Sequence, residues 1–301
     1  MTLEKLSKEA AERLIQIDFN FYRSVHKDLL QFSDAQLLNH YANYGYLEGR
    51  VANPNALREN FIVVDQELKC LEIGPFFNPL IKGNNVKYLD ILSTSELAVR
   101  AKSISASQEQ IKNIPKIDFV SKDGSLKLVN EKFDLLVSAH NIEHQVDLIG
   151  HLNEASDILV DRGTYKMIVP NSAYCFDANL PPSKISEIID ANRIKSKTHS
   201  IAKVIEHRAL TVHNDAVVHW KESNSNTKEY SLIDVSRVSS AITEFDNAEG
   251  KFIDVHAWQF KPHTLADIFR VLIKLNLIRF IDVICFGPVI NRNEFCIELV
   301  K

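Results

Sequence analysis

In the stretch CLEIGPFFNPL, residues 70–80, a short apolar run is followed by a glycine and two prolines. Short apolar runs bounded by turn residues are typical of strands that are buried on both faces of a parallel sheet. We expect Glu72 and Gly74 at the turn from this strand into a helix, where the backbone of a glycine can approach a ligand closely. The stretch therefore predicts the first strand of an α/β sheet whose carboxyl end can bind a ligand.

Apolar runs of the same kind recur along the chain and alternate with polar or helix-periodic segments. The further strand-like runs are VKYLDIL (86–92), IDFV (117–120), KFDLLVSA (132–139), TYKMIVP (164–170), RFIDVICF (279–286) and EFCIELV (294–300). Between them, VDLIGHLNEASDILVDRG (146–163) has the apolar spacing of a helix, with Gly163 suited to its C′ position. The short connection GPVINRN (287–293) permits only an antiparallel pairing of the last two runs. The sequence thus predicts a mostly parallel α/β sheet that ends in a strand hairpin.

Two regions differ from this alternation. Residues 1–58 have helix formers and apolar residues at helical spacing, and they contain no strand-like run. Residues 171–250 are polar, with several helical stretches and an exposed loop, KESNSNTKEYS. We therefore predict an N-terminal helical module over 1–58 and an α/β domain over 59–301, with a helical lid insertion at about 171–250 that covers the carboxyl edge of the sheet.

Composition excludes several classes of protein. The net charge of −4 provides no general attraction to nucleic acid or to an anionic membrane. No apolar run approaches the roughly 20 residues of a membrane span, and the N-terminus has no apolar signal-peptide core. The four cysteines form no CxxC pair, and three of them lie in strand-like runs. We therefore expect a cytoplasmic protein with reduced cysteines, no membrane span and no nucleic-acid partner.

Acidic residues at the ends of the predicted strands point to a nucleoside-type cofactor. Asp90 ends the second strand, where a carboxylate can accept hydrogen bonds from both ribose hydroxyls. Asp118 and Phe119 are expected to end the third strand, where an acceptor beside an aromatic ring suits adenine. The glycine-rich G-x-G-x-x-G is absent, because positions 76–78 are Phe, Phe and Asn. A dinucleotide pyrophosphate needs that close glycine approach, so a cofactor without phosphate is favoured.

At this point the chain resembles a known family. The stretches LEIGP…NP, YLDILSTSEL and FDLLVSAHNIEHQVDLIGHLNEASDILVDRG, with the terminal hairpin, are similar to class I S-adenosylmethionine-dependent methyltransferases over about residues 60–301. The resemblance implies a Rossmann-like seven-stranded, mostly parallel sheet with an antiparallel last strand, and S-adenosyl-L-methionine as cofactor. The cofactor-binding residues that it suggests are Glu72, Gly74, Pro75, Asp90, Asp118, Phe119, Ser138 and His140.

A narrower resemblance concerns the acceptor. FDLLVSAHNIEH and FIDVHAWQFKPHTLADIFRVL are similar to methyltransferase domains encoded among bacterial polysaccharide and glycosyltransferase genes. DFNFYRSVHKDLL…LLNHYANYGYLEGRVANP is similar to a short helical module of bacterial surface-glycan enzymes. These similarities imply a small hydroxylated acceptor, such as a sugar or glycan precursor, and an association of the module with glycan-assembly enzymes.

The motif SAHNIEH, residues 138–144, has three interpretations. In the first, His140 and Glu143 line the methionine end of the cofactor and cap the next helix. In the second, His144, oriented by Glu143, is the general base that removes the acceptor proton during in-line methyl transfer. The third is a divalent metal ion, which we do not favour, bound by the two histidines and Glu143 together with a downstream His207 or His213.

The stretch IDVHAWQF, residues 253–260, adds a further candidate. Strand alternation would turn His256, Trp258 and Phe260 to one face and give a sugar acceptor an aromatic wall beside a polar base. The predicted catalytic residues are therefore Glu143, His144 and His256. The sequence favours an O-methyltransferase of this family. The alternatives are a degenerate methyltransferase fold that serves as an interaction subunit, and a nucleotide-dependent oxidoreductase.

Overall fold

The computed structural model describes residues 17–222 and 233–301. Its strands are β1 (Cys70–Ile73), β2 (Val86–Asp90), β3 (Phe119–Val120), β4 (Phe133–Ala139), β5 (Leu159–Pro170), β6 (Asp282–Phe286) and β7 (Glu294–Val300). They form one sheet in the order β3-β2-β1-β4-β5-β7-β6. Strands β1 to β5 are parallel, whereas β7 is antiparallel to both β5 and β6. The predicted seven-stranded α/β sheet with an antiparallel last strand is confirmed.

Helices flank the sheet on both faces and extend beyond it. They are α1 (Phe19–Val25), α2 (Asp34–His40), α3 (Arg58–Phe61), α4 (Thr94–Ser103), α5 (Gln108–Lys112), α6 (Leu148–Ile158), α7 (Ile185–Ile194), α8 (Ile201–Ala209), α9 (Ala216–Glu222), α10 (Val235–Asn247) and α11 (Pro262–Lys274). Several begin with strong caps, such as the capping box in which Ser93 and Glu96 satisfy each other's backbone amides at the start of α4. In the described ranges, no helix has the length and apolar character that crossing a bilayer requires.

The main core lies between the sheet and helices α6 and α11. Leu152 of α6 and Phe269 of α11 are fully buried, as are Leu136, Tyr165 and Phe295 on the strands that they cover. Burying an aliphatic or aromatic side chain of this size contributes about 1.5–3 kcal/mol relative to leaving it exposed. The core therefore holds the carboxyl ends of the central strands in place.

Two connections differ from prediction. Residues 74–85, all described, contain no helix between β1 and β2, because Pro75 and Pro79 cannot donate the amide bonds of a helix. Gly163 is not the C′ residue of α6, which ends at Ile158. It lies within β5, where its carbonyl accepts a hydrogen bond from Lys301 N at 2.9 Å, so pairing with β7 outweighs the helix-stop signal.

The N-terminal helices have their own small core. Tyr22, Leu37 and Tyr41 are buried together in this cluster. The segment is joined to the sheet through α3, where Arg58 pairs with Glu294 on β7 at 3.3 Å. The division at residue 58 remains a prediction, and the amphipathic stretch before residue 17 lies outside the described residues.

Between β5 and α11 lie helices α7 to α10, in the region where the sequence predicted helices. Residues 223–231 of the predicted exposed loop KESNSNTKEYS lie outside the described residues. Residues at the start of this region, such as Ser172 and Ser183, hydrogen-bond to the segment 254–260 that precedes α11. The insertion is thus attached to the chain beside the carboxyl edge of the sheet.

The N-terminal core contains a close backbone approach that tests its packing. A Cβ on Gly45 would lie 2.0 Å from Tyr22 Oη, which hydrogen-bonds to His40 Nδ1 at 2.9 Å. We expect Gly45→Ala to lower the free energy of unfolding by about 1–3 kcal/mol, because the buried tyrosine cannot move aside. Urea denaturation of Gly45→Ala in the wild-type and Tyr22→Phe backgrounds measures the coupling. An equal loss in both backgrounds would contradict this interpretation.

Candidate functional site

The strand order reverses between β1 and β4. The chain runs outward from β1 through β2 to β3, and then returns to the other side of β1 to form β4 and β5. In open α/β sheets, ligands bind in the crevice outside the carboxyl ends of the strands at such a switch point. Gly74 follows β1 and His140 follows β4, so both predicted motifs border this crevice.

Gly74 and Asp90 lie at the carboxyl ends of neighbouring strands. Gly74 has a φ of +72°, and a Cβ there would lie 3.4 Å from Asn141 Nδ2, so the tips of β1 and β4 are in close contact. Asp90 Oδ1 accepts the amide of Leu92 at 3.1 Å. Burial is the main cause that raises the pKa of Asp90. Pro75 is buried beside them. The arrangement leaves Asp90 in the position from which a carboxylate can bind ribose hydroxyls.

Glu72 has a structural contact that the sequence did not indicate. Its carboxylate accepts the amide of Leu80 at 2.9 and 3.0 Å and that of Ile81 at 3.1 Å. Glu72 therefore fixes the loop that replaces a helix after β1. Its role beside the methionine part of a cofactor stays a prediction.

The third strand ends later than predicted. Asp118 precedes β3, and its carboxylate accepts the amide of Tyr88 at 3.0 Å, so it lies level with the middle of β2. At the carboxyl end, Ser121 N donates to Asp90 O at 2.9 Å. The prediction that Asp118 and Phe119 end the strand is wrong, because pairing with β2 continues through Val120. Asp123, which the sequence reading missed, follows at the same edge as Asp90.

Ser138 and His140 point in different directions. Ser138 is buried, and its hydroxyl is 2.9 Å from Tyr165 Oη inside the core. His140 has a φ of +49° and lies at the surface, where its Nε2 is 3.0 Å from Glu294 Oε2. Partial desolvation of the ring opposes a charge on His140, but the Glu294 hydrogen bond and nearby Glu143 outweigh it and raise its pKa.

Three histidines surround the carboxylate of Glu143. Glu143 Oε1 lies 3.7 Å from His144 Nε2 and 3.9 Å from His256 Nε2. His140 Nδ1 is also 3.9 Å from the same oxygen. The side chain of Glu143 is 0% exposed, and neither of its oxygens has a hydrogen-bond partner. The structure thus brings together the three predicted catalytic residues, although His256 comes from a segment far from Glu143 and His144 in sequence.

Two carboxylates that were not predicted from the sequence contact His256 and His144 on the side of each ring that points away from Glu143. Asp177 Oδ2 is 2.7 Å from His256 Nδ1, a buried hydrogen bond. Asp254 Oδ1 is 2.9 Å from His144 Nδ1, an ion-pair contact whose direction is not that of an aligned hydrogen bond. No spacing rule connects Asp177 to His256, so only the fold could reveal the first pair.

The charges within the cluster are strongly coupled. Burial opposes a charge on His144, but the contact with Asp254 and the charge of Glu143 outweigh it and raise the pKa of His144. The contact with His144 is the main cause that holds the pKa of Asp254 well below its usual range. Asp254 also pairs with Arg100 at 3.2 Å, and that guanidinium lies over the ring of Phe76. This chain of contacts joins the histidine cluster to the loop after Gly74.

The prediction that Trp258 and Phe260 form an aromatic wall beside His256 is wrong. Residues 251–261 form no strand, and Trp258 is buried, with its indole N–H donating to Gln145 O at 2.6 Å. Phe260 is also buried. The segment is held instead by the backbone of Glu143, whose carbonyl accepts from Ala257 N at 2.7 Å. The aromatic ring beside the cluster is Phe176, whose centroid lies 4.7 Å from that of His256.

The downstream histidines proposed as metal ligands lie apart from Glu143. His207 Nδ1 accepts the backbone amide of His256 at 3.1 Å, and burial is the main cause that lowers its pKa to about 4. His213 stacks on His219, with ring centroids 4.6 Å apart. The downstream histidine near Glu143 is therefore His256, and not His207 or His213 as the metal interpretation of the motif predicted.

One cavity of about 180 Å³ is separate from this site. Its lining includes Ile62, Leu80, Ile81 and Val86. Val86 begins β2, whereas Asp90 ends it, so the cavity lies towards the amino end of that strand. It therefore does not contribute to the crevice at the carboxyl edge.

Comparisons with known proteins give distant structural neighbours. No family model matches the chain, and no curated protein matches it. An S-adenosylmethionine-dependent methyltransferase from Clostridium acetobutylicum ATCC 824 is 16% identical over 55% of this chain and 62% of its own, with a TM-score of 0.29. The CcbJ methyltransferase from Streptomyces caelestis is 15% identical over 40% and 54%, with a TM-score of 0.26. The DszA carbon methyltransferase is 10% identical over 94% and 54%, with a TM-score of 0.33.

The matched part thus spans little more than half the length of these three neighbours. All three are named as methyltransferases, and one of them is a carbon methyltransferase. At these TM-scores they assign no function to this chain.

Glu72 provides a test of the loop after β1. Burial raises its pKa to about 7, opposed by the Leu80 and Ile81 amides and by Lys82. Because the folded pKa lies above the unfolded one, its stabilising effect is complete below about pH 4.5 and is lost as pH rises through about 7. As the pH rises from about 5 to about 8, we expect ionisation of Glu72 to lower the free energy of unfolding by about 2–3 kcal/mol.

Urea denaturation of wild type and Glu72→Gln across this pH range measures the effect. The variant should lose less stability than wild type as pH rises. Tyr88, which also faces Glu72, stays neutral over the range, because burial raises its pKa to about 12. Parallel pH profiles for the two proteins would show that Glu72 does not titrate there.

Proposed function

We propose that this chain is an S-adenosylmethionine-dependent methyltransferase that acts on a small hydroxylated acceptor. The observation that carries the proposal is the position of three groups at one switch point. Gly74 follows β1, Asp90 ends β2, and the Glu143 cluster follows β4. A nucleoside held by the first two would direct its reactive end towards the third.

The cofactor is proposed to lie across the tips of β1, β2 and β3. Asp90 would accept hydrogen bonds from the ribose hydroxyls, and the backbone at Gly74 would approach the methionine part. The adenine end is assigned to residues 121–123, because Ser121 is bonded to the backbone of Asp90 whereas Asp118 lies further back along the strand. Phe76 lies beside Asp90 and provides an apolar face.

The reaction itself is an in-line displacement. The acceptor oxygen forms a bond to the methyl carbon as the bond from that carbon to sulfur breaks, and S-adenosylhomocysteine leaves. The hydroxyl proton must pass to a nearby group, and His144, Glu143 and His256 are the candidates, of which His144 is the most exposed. A positioned proton acceptor typically contributes about 10²–10⁴-fold to the rate.

A polyol such as a sugar or glycan precursor suits the surroundings of the cluster. Phe176 presents a half-buried ring beside His256, and Asp177 belongs to the same segment. His140 and His144 are 42% and 27% exposed, so a ligand can reach the cluster from their side. We infer that the insertion supplies the acceptor wall that was predicted for Trp258. The N-terminal module is proposed to contact glycan-assembly enzymes, on the resemblance alone.

The two alternatives have less support. A dinucleotide-dependent oxidoreductase holds its pyrophosphate on a helix N-terminus after β1, and residues 74–85 have no helix there. An interaction subunit would have no need of a fully buried Glu143 that faces three imidazoles, since an unpaired buried carboxylate is destabilising. The cluster is easier to explain as part of a working site.

Isothermal calorimetry with S-adenosylhomocysteine tests the cofactor site. We expect wild type to bind, and Asp90→Ala to weaken binding by about 1–3 kcal/mol, because hydrogen bonds to a charged group are lost. Asp123→Asn should weaken binding, whereas Asp118→Asn, whose carboxylate serves the sheet edge, should not. NADH is the control ligand. Failure of wild type to bind S-adenosylhomocysteine would refute the proposal.

Turnover tests the cluster independently of cofactor binding. With a panel of nucleotide sugars and glycans, methylated product is measured by mass spectrometry. We expect His144→Asn to reduce turnover by about 10²-fold or more while the affinity for S-adenosylhomocysteine stays unchanged. His213→Asn is the matched control, because that histidine lies outside the cluster. Full activity of His144→Asn would exclude a role for the cluster in the reaction.

A further inference from the structure

The carboxylate of Glu143 is in an unusual electrostatic position. It is 0% exposed and has no hydrogen-bond partner, yet its backbone is fixed because Glu143 O accepts the amides of Ala257 and Trp258. An ionised carboxylate buried without compensation is strongly destabilising. A positive group against the carboxylate would remove this cost.

The nearest candidates are nitrogens of the three imidazoles, which lie within ion-pair distance of Glu143 but beyond hydrogen-bond distance. Hydrogen bonds from N–H to oxygen span about 2.7–3.2 Å. The distances from Glu143 Oε1 to His144 Nε2, His256 Nε2 and His140 Nδ1 are 3.7, 3.9 and 3.9 Å. The rings surround the oxygen at a distance that leaves room for an atom between them.

The outer side of each ring contacts a carboxylate. His256 is paired with Asp177, His140 with Glu294, and His144 with Asp254. In metal sites, a histidine usually donates its outer N–H to such a carboxylate, which leaves the lone pair of the inner nitrogen for the metal. If each outer nitrogen carries the proton, the nitrogen nearer Glu143 turns its lone pair towards the carboxylate oxygen. Lone pairs that face an oxygen repel it unless a cation lies between the nitrogen and the oxygen.

We propose that Glu143, His144 and His256 bind one divalent transition-metal ion. Their ligand atoms all lie within 4.8 Å of one another. Donors of a tetrahedral zinc site lie about 3.4 Å apart, because each is about 2.0–2.2 Å from the metal. The two distances from Glu143 Oε1, 3.7 and 3.9 Å, exceed this spacing by about 0.3–0.5 Å, so both imidazole nitrogens would have to move closer to the carboxylate. Two imidazoles and one carboxylate suit zinc, manganese or iron better than magnesium.

Among the described residues, a second set of possible ligands shares one member with the first. It consists of Asp177, His207 and His256. Two of its members already contact His256, since Asp177 Oδ2 is hydrogen-bonded to His256 Nδ1 and His207 Nδ1 accepts the amide of His256, whereas Asp177 Oδ1 has no hydrogen-bond partner. Asp177 is therefore assigned as the residue that orients His256, and the ion belongs on the Glu143 side.

The role of the ion rests on the proposed function. Three protein ligands leave an open position, as in catalytic metal sites. It would lie towards His140 and His144, the exposed side of the cluster, where the acceptor arrives. A bound hydroxyl has a lowered pKa and loses its proton more readily. In this arrangement His144 is a metal ligand and no longer the free base.

The ion itself can be tested without any methyl acceptor. Tag-free, full-length protein is stripped with a chelator, reloaded with Mn²⁺, Co²⁺, Zn²⁺ or Mg²⁺ alone, and assayed by elemental mass spectrometry and thermal denaturation. We expect about one transition-metal ion per chain, Co²⁺ absorption in the visible range, and a raised Tm that Mg²⁺ does not reproduce. Glu143→Gln and His256→Asn should lose these effects.

Asp177→Asn should weaken metal affinity by about 10–100-fold, as expected of a positioning residue, whereas His213→Asn should leave it unchanged. Glu143→Gln should fold, because it removes an unpaired buried charge. No bound ion in wild type, or equal binding in Glu143→Gln, would overturn the proposal. Calorimetry with S-adenosylhomocysteine on the same samples separates the outcomes. Metal binding without cofactor binding would refute only the proposed function, and the reverse would refute only the metal site.

Discussion

The pairing of β4 with β1 is the constraint on which the candidate site depends. Ile73 lies opposite Ser138 in this register, so the chain leaves both strands at the same level. The turn at Gly74 is thereby brought against Asn141, and the residues after β4 are held at the switch point of the sheet. A slip of one residue would turn the alternating side chains of β4 to the opposite faces. The buried neighbours on both faces prevent such a slip.

The second constraint is electrostatic. Glu143 lies in the interior between β4 and the segment before α11, and backbone amides of that segment donate hydrogen bonds to its carbonyl. Three histidines lie against its carboxylate, and their outer sides contact Asp177, Asp254 and Glu294. The cluster is therefore one network of alternating charge that extends from the insertion to β7, and a change at one member alters the others.

Most of the fold could be predicted from the sequence because its signals are local. The run KFDLLVSA is apolar enough to identify a buried strand, and Pro262 marks the start of α11. Where local signals competed with tertiary contacts, the contacts decided. Gly163 has the pattern of a helix stop, but it lies in β5 and pairs with Lys301. The stretch IDVHAWQF alternates like a strand, but it forms a largely buried connection without strand structure. The strand end beside Asp118 was misplaced for the same reason.

The sequence by itself determined the sheet, its antiparallel last strand and the position of Glu143 and His144 after β4, because spacing along one chain encodes these features. It also pointed to His256 as a catalytic candidate, but through a strand alternation that residues 251–261 do not form. Only the tertiary structure decided that His256 faces Glu143 and that Asp177 orients it, since these residues are joined by contacts across the fold. Glu72 was read as a cofactor residue, but folding showed that it also anchors a loop. Contacts between distant residues depend on how elements pack, which local patterns do not specify.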